Sequence, residues 1–301
     1  MINSDYLKNL NKNQKKAVLR LNGPLLIVAG AGSGKTKVLT SRIAHIIKEG
    51  QAFPNQILAV TFTNKAAKEM GNRVSAILKK KAVGLPWLGT FHSICAKLLR
   101  KHAKAAGLNH NFSIIDQDDQ TRLIKNICKA ENIDIKKISP NFILSIIDKW
   151  KNKGWYPDNV TLSKKDIMEK GFLKIYKIYQ QKLLDLNACD FGDLILHCVY
   201  IFEKHPDIND LYANNFKYIL VDEYQDTNFV QSKWLNLLAK KNKNICCVGD
   251  DDQSIYSWRG AEIKNFLDFD KVYKNTDVIR LEDNYRSTQN ILSAASKLIS
   301  N

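Results

Sequence analysis

The sequence contains no run approaching the roughly 18–20 apolar residues that a bilayer span requires, and Met1–Arg20 has no continuous apolar core of the secretory type. Membrane insertion and export are not indicated, so the chain is expected in the cytoplasm. Cysteine is sparse and unpatterned. Cys95, Cys128, Cys189, Cys198, Cys246 and Cys247 form no CxxC pair, and two are adjacent inside an apolar run, which argues against a zinc knuckle or a disulfide framework. Proline and methionine are few, at 6 and 3, and neither low-complexity tracts nor internal repeats occur. Acidic residues are also scarce relative to basic ones. Thirty Asp and Glu face 46 Lys and Arg, a net charge of +16, which suits a polyanionic partner such as nucleic acid better than any need of folding.

What remains is ordinary globular composition, 45% apolar and 25% charged over 301 residues, enough for about two domains. Five short apolar runs read as buried parallel strands: 25–29, 57–62, 218–221, 245–248 and 278–281. Most are followed by a polar or Gly-rich turn and then by helical spacing, the α/β pattern. Between about 101 and 211 strand-like runs vanish, and Phe172, Ile175, Tyr176, Tyr179, Leu183 and Leu186 recur at helical spacing, so this stretch reads as an inserted all-helical domain. Charge is uneven as well. From Asn64 to Lys104 ten basic residues (Lys65, Lys68, Arg73, Lys79, Lys80, Lys81, Lys97, Arg100, Lys101, Lys104) accompany one acid, Glu69, as expected of a surface that tracks phosphates.

The most specific local signal follows the first strand. Ala29-Gly30-Ala31-Gly32-Ser33-Gly34-Lys35-Thr36 lies between a strand and a helical pattern through Val38, Leu39, Ile43 and Ile46. In that context glycines let backbone N–H groups face phosphate oxygens, Lys35 reaches the β and γ phosphates, and the Thr36 hydroxyl can ligate Mg²⁺. The strand 218–221 ends in Asp222-Glu223, carboxylates suited to supporting Mg²⁺ and polarising an attacking water.

The motifs recur in a family order. Leu10–Gln14 resembles an adenine-reading Q motif, Ala29–Thr36 motif I, Thr61–Ala67 motif Ia and Gly89–Ser93 motif Ib. Val221–Asp226 resembles motif II, Gly249–Gly260 motif III and Asp283–Ser287 motif IV. The chain thereby resembles the N-terminal part of superfamily one DNA helicases of the UvrD/PcrA/Rep type.

That resemblance implies a RecA-like P-loop domain from 1–100 and 212–280, the inserted helical domain at 101–211, and the start of a second RecA-like domain at 281–301. It implies ATP and Mg²⁺ as ligands. Gln14 would meet the adenine edge, Tyr285 its face, Gln253 the γ-phosphate, and Arg286 would act as an arginine finger. Lys37 stands where many relatives carry Arg, so its contact near the adenine is altered. Single-stranded DNA and duplex junctions are the implied partners. Phe62, Tyr256 and Trp258 would stack on bases, while Thr63, Asn64, His92 and Arg259 would contact the backbone. Only 15 residues follow Arg286, so the second motor domain of the family is expected to be absent from the chain. The implied function is the ATP-binding part of a 3′→5′ helicase. Two alternatives are a regulatory ATP-dependent DNA-binding module and the N-terminal part of a RecB/AddA-type helicase-nuclease.

Overall fold

Four of the strands are almost wholly apolar and too short for an amphipathic helix, and each pairs in parallel with a neighbour on both sides. The computed structural model describes residues 5–79, 84–161 and 167–299, the side chains of 167–169, 296 and 299 excepted. Its strands are β1 (Leu25–Ala29), β2 (Ile57–Thr61), β3 (Leu88–Thr90), β4 (Ser113–Ile114), β5 (Ala188–Cys189), β6 (Tyr218–Val221), β7 (Ile245–Gly249) and β8 (Asp277–Leu281). Six of them form one sheet in the order β3-β2-β6-β7-β1-β8, with every pair parallel. All residues of β2, β6 and β7 are buried, including Cys246 and Cys247.

The chain divides into two compact units. The first comprises residues 1–91, 210–227 and 238–301 and contains the six-stranded sheet. The helix Lys35–Lys48 buries Val38, Leu39, Ile43 and Ile46 against this core, as the sequence spacing predicts. Residues 281–299 continue directly from β8 and cluster with this unit. Their helix, Gln289–Ile299, leaves Ile291 and Leu298 exposed; the Ile299 side chain lies outside the described residues.

The second unit, residues 92–209 and 228–237, is built on long helices. The expected stripe on Ile167–Asp185 is buried at Phe172, Ile175, Tyr176, Tyr179 and Leu183. Leu186 does not continue it. The helix stops at Asp185, the chain turns through Asn187 at φ 49°, and Leu186 is exposed. The unit also carries a two-residue parallel ladder, β4 with β5, besides its helices. Such a ladder is too short to imprint any periodicity on the sequence.

Lys151 lies at the centre of this unit, 1% exposed, with its ammonium 2.6 Å from Asp190 and 2.7 Å from Asp193. Burial opposes its charge, but the two carboxylates outweigh it and raise the lysine pKa. Tyr179 donates to Asp190 at 2.9 Å and Gln180 to Asp193 at 3.1 Å. Asp190 also caps the helix Phe191–Lys204 by accepting from the Asp193 N–H.

Candidate ATP site and strand surface

The C-terminal ends of β6, β7, β1 and β8, adjacent in the sheet, carry the loops at 222–226, 250–253, 30–36 and 283–286. Ligands of open parallel sheets bind at that edge. In the first of these loops Gly32 and Gly34 have φ of 75° and 90°. A side chain at Gly32 would place its first carbon 2.7 Å from the Cβ of Arg286, and one at Gly34 would lie 2.8 Å from the amide nitrogen of Gln14. Both space and dihedral therefore require glycine. Ser33 closes the loop, its hydroxyl donating to the Gly30 carbonyl at 2.6 Å. The helix Lys35–Lys48 starts after Gly34 with no side-chain cap, leaving its first N–H groups for an anion.

Lys35 is drawn inward. Its ammonium donates to Glu223 at 3.0 Å and to the carbonyl oxygen of Gln253 at 3.2 Å. Glu223 occupies the left-handed region at φ 49°, a costly conformation for a non-glycine residue and typical of functional sites. Asp222, 6% exposed at the end of β6, accepts from the Glu223 N–H at 3.1 Å. Burial pushes the Asp222 carboxyl up to about 6, Glu223 adds to the rise and Lys35 opposes it. Such a proton-retaining carboxyl favours folding at low pH, and that contribution is lost as the pH climbs from about 4 to about 6. Asp222→Asn is therefore expected to stabilise the protein in chelator-containing buffer by about 1–3 kcal/mol, more at pH 7.5 than at pH 5. Urea unfolding at the two pH values checks this, and a gain confined to pH 5 would contradict it.

The remaining predicted nucleotide residues gather at the same edge. Gln14 is 1% exposed and braces the loop from beneath: its amide N–H donates to the Ser33 carbonyl at 2.9 Å and its oxygen accepts from the Asn11 N–H at 3.1 Å. One amide N–H of Gln14 is left for a ligand. Tyr285 stands at the rim, its N–H donating to Gly32 at 2.9 Å and its hydroxyl accepting from Asn11 at 2.8 Å, with the ring largely exposed. Arg286 is exposed beside Gly32, and its backbone N–H donates to Asn284 at 2.9 Å. Lys37 points away, onto the Asn9 carbonyl, and Thr36 is half-buried at the start of its helix.

The predicted strand contacts divide between the two units. Phe62 is 37% exposed after β2, its ring 5.5 Å from Phe91, edge to face. Thr63 caps the helix Asn64–Ile77 by accepting from Ala66 at 3.1 Å, which leaves its hydroxyl hydrogen to donate, and Asn64 is exposed beside it. After β7, Tyr256, Trp258 and Arg259 form one exposed cluster in which the guanidinium lies 4.7 Å from the Trp258 ring. Trp258 is 71% exposed. His92 falls in the helical unit, its ring 5.8 Å from Phe191, and burial lowers its pKa, so it offers a neutral imidazole. Of the basic cluster, Lys65, Lys68 and Lys79 are exposed, Arg73 pairs with Glu69, and Arg100 is engaged with the carbonyls of His110 and Phe112; Lys80 and Lys81 lie outside the described residues.

Sequence reasoning gave no role to four residues that bind this edge together. Gln225, Asp250, Asn284 and Asn11 fix the neighbours of the predicted groups. Each lies inside one of the motif-like segments, which is the signal that could have singled it out.

The family model of the UvrD/REP helicase N-terminal domain matches residues 10–274. The chain belongs to this family. Relatives include a DNA helicase II of Rickettsia typhi, 50% identical over 305 residues, and an ATP-dependent DNA helicase PcrA of Staphylococcus epidermidis, 48% identical over 293 residues. These alignments cover 100% and 97% of this chain but 46% and 40% of the relatives, so the chain spans less than half the length of the curated relatives it matches. The six-stranded parallel sheet flanked by helices is the fold expected of that domain, the RecA-like architecture inferred from the motif order. Among the described residues no helix is long and apolar enough to cross a membrane.

Proposed function

We propose that this chain is the ATP-binding and strand-gripping part of a DNA helicase. One observation carries the reading: three adjacent strand ends bring Lys35, Glu223 and Gln253 into one hydrogen-bonded group beside the buried Asp222. The glycine cradle and the uncapped helix start suit a triphosphate. Thr36 and Asp222 are the residues that would hold Mg²⁺, whose chemistry is to neutralise phosphate oxygens.

The chain's own groups then have distinct tasks. Lys35 exchanges its carboxylate and amide partners for phosphate oxygens. Glu223, held by the Lys35 and Gln225 donors, accepts a proton from the attacking water, while Gln253 orients at the terminal phosphate. Arg286 offsets developing charge and Tyr285 stacks on the base. Residues 101–211 serve as the inserted domain of the motor. The relatives are named helicases and are more than twice as long, so translocation and unwinding are assigned to the two-lobed motor rather than to this portion alone.

The strand surface in the first unit is the loop after β7 together with Phe62, Thr63 and Asn64. Because its contacts are ring faces and phosphate donors, binding should be indifferent to sequence and weaken steeply with salt. Trp258→Ala is expected to cost about 1–3 kcal/mol, roughly 5–150-fold in Kd, for labelled single-stranded oligonucleotides of any sequence. Fluorescence anisotropy across a salt series measures this. Salt-independent binding, or a Trp258→Ala variant that binds like the parent, would contradict the surface assigned here.

A further inference from the structure

We infer that Gln225 is a positioning residue that couples the ATP site to the loop carrying Trp258, so that nucleotide and strand alter each other's affinity. The inference rests on the proposed ATP site and strand surface and adds a residue to which neither assigns a role.

Gln225 is 1% exposed in the single turn Tyr224–Asp226 and spans two loops. Its amide nitrogen donates to Glu223 at 2.9 Å, and its oxygen accepts from the backbone N–H of Asp250 at 3.1 Å. The Asp250 carboxylate accepts from the amide nitrogen of Gln253, and the Gln253 oxygen accepts from Lys35 at 3.2 Å. Lys35 donates to the same Glu223 oxygen that Gln225 holds, at 3.0 Å. The five residues therefore close a ring through three loops.

Room for the ring is made at Gly249, the last residue of β7. A side chain there would place its first carbon 2.5 Å from the Gln225 oxygen and 2.8 Å from the Phe266 ring. The Gly249 backbone is not in the left-handed region, so the missing side chain serves close approach rather than dihedral freedom.

A triphosphate competes for the Lys35 ammonium, which would open the ring on two sides. Within the ring, Glu223 then keeps Gln225 as its remaining donor, and Gln225 is bonded to the first residue of the segment that leads into Tyr256 and Trp258. A shift of Glu223 toward a new partner is thus transmitted to Asp250, and a strand that fixes the Trp258 loop biases Glu223 in return. Such coupling is reciprocal and typically amounts to about 5–150-fold.

The test measures the Kd of labelled oligo-dT for the full chain, in Mg²⁺, with and without a saturating non-hydrolysed ATP analogue. In the parent protein the nucleotide is expected to change the strand Kd by about fivefold or more. Gln225→Met keeps the length and loses both hydrogen bonds, and Gln225→Glu keeps the acceptor for Asp250 while losing the donor to Glu223. In both variants the nucleotide-induced change is expected to fall below about twofold, while oligo-dT alone binds as in the parent. Should Gln225→Met fail to fold by circular dichroism, Gln225→Glu carries the comparison. A parent protein that binds both ligands without coupling, or variants that retain the coupling, overturns the role of Gln225 and leaves the proposed function standing. A parent that binds neither ligand overturns both.

Discussion

Replacing Lys35 with alanine is expected to weaken ATP binding about 10–150-fold, the loss of one charge-assisted hydrogen bond at about 1.5–3 kcal/mol. The lysine is the first residue of its helix, its side chain only 11% exposed and directed at Glu223 and Gln253, so it is already oriented toward the groups that would share the terminal phosphate. Arginine at this position is expected to restore little. A planar guanidinium is bulkier than the ammonium and lacks its point-like geometry, whereas Glu223 and Gln253 both accept from the one nitrogen of Lys35. Titration with a fluorescent ATP analogue measures the effect, and circular dichroism checks that the fold persists. An affinity for Lys35→Ala within about threefold of the parent would remove Lys35 from the phosphate site.

The largest stability effect is expected in the helical unit. Lys151→Met leaves Asp190 and Asp193 buried without their cation and is expected to destabilise the helical unit by about 3–5 kcal/mol. The cost arises from the carboxylates left behind. Adding Asp190→Asn and Asp193→Asn to Lys151→Met should recover a substantial part of it, because amides can still meet Tyr179 and Gln180 without burying charge. Urea denaturation followed by helical circular dichroism gives the comparison. A single substitution that costs less than about 1 kcal/mol would show that the ion cluster is hydrated or relaxed rather than buried.

The parts of this architecture legible from sequence are those whose physics is local. The strand 25–29 and the glycine loop announce themselves because backbone conformation, helix start and phosphate chemistry all fall within twelve residues. Asp222-Glu223 is recognisable because a buried apolar strand ends in two charges. Trp258 could be read as exposed from its polar neighbours, and it is. Three-residue β3 went unseen, since Leu88-Gly89-Thr90 has neither the length nor the alternation of a strand and takes its place by pairing with β2. Leu186 misled because periodicity does not register where a helix stops. The Gln225 ring was invisible for a different reason. Its contacts join residues separated by up to 218 positions, and nothing about a glutamine in a loop says which two loops it will bridge.

The family assignment fixes the fold and the kind of motor to which this chain is related, and the geometry then narrows what the chain itself can do. The residues proposed for the nucleotide and the aromatic loop proposed for the strand follow strand ends at the same edge of one sheet, with Asp250 directly after β7 and Trp258 a few residues later. Both ligands should therefore bind one molecule together.

Native mass spectrometry of the intact chain with Mg²⁺, a non-hydrolysed ATP analogue and oligo-dT tests that claim most directly. A complex of one protein, one nucleotide and one strand is expected. Strand complexes that never contain nucleotide, or two ligands that exclude each other at saturating concentrations, would contradict it.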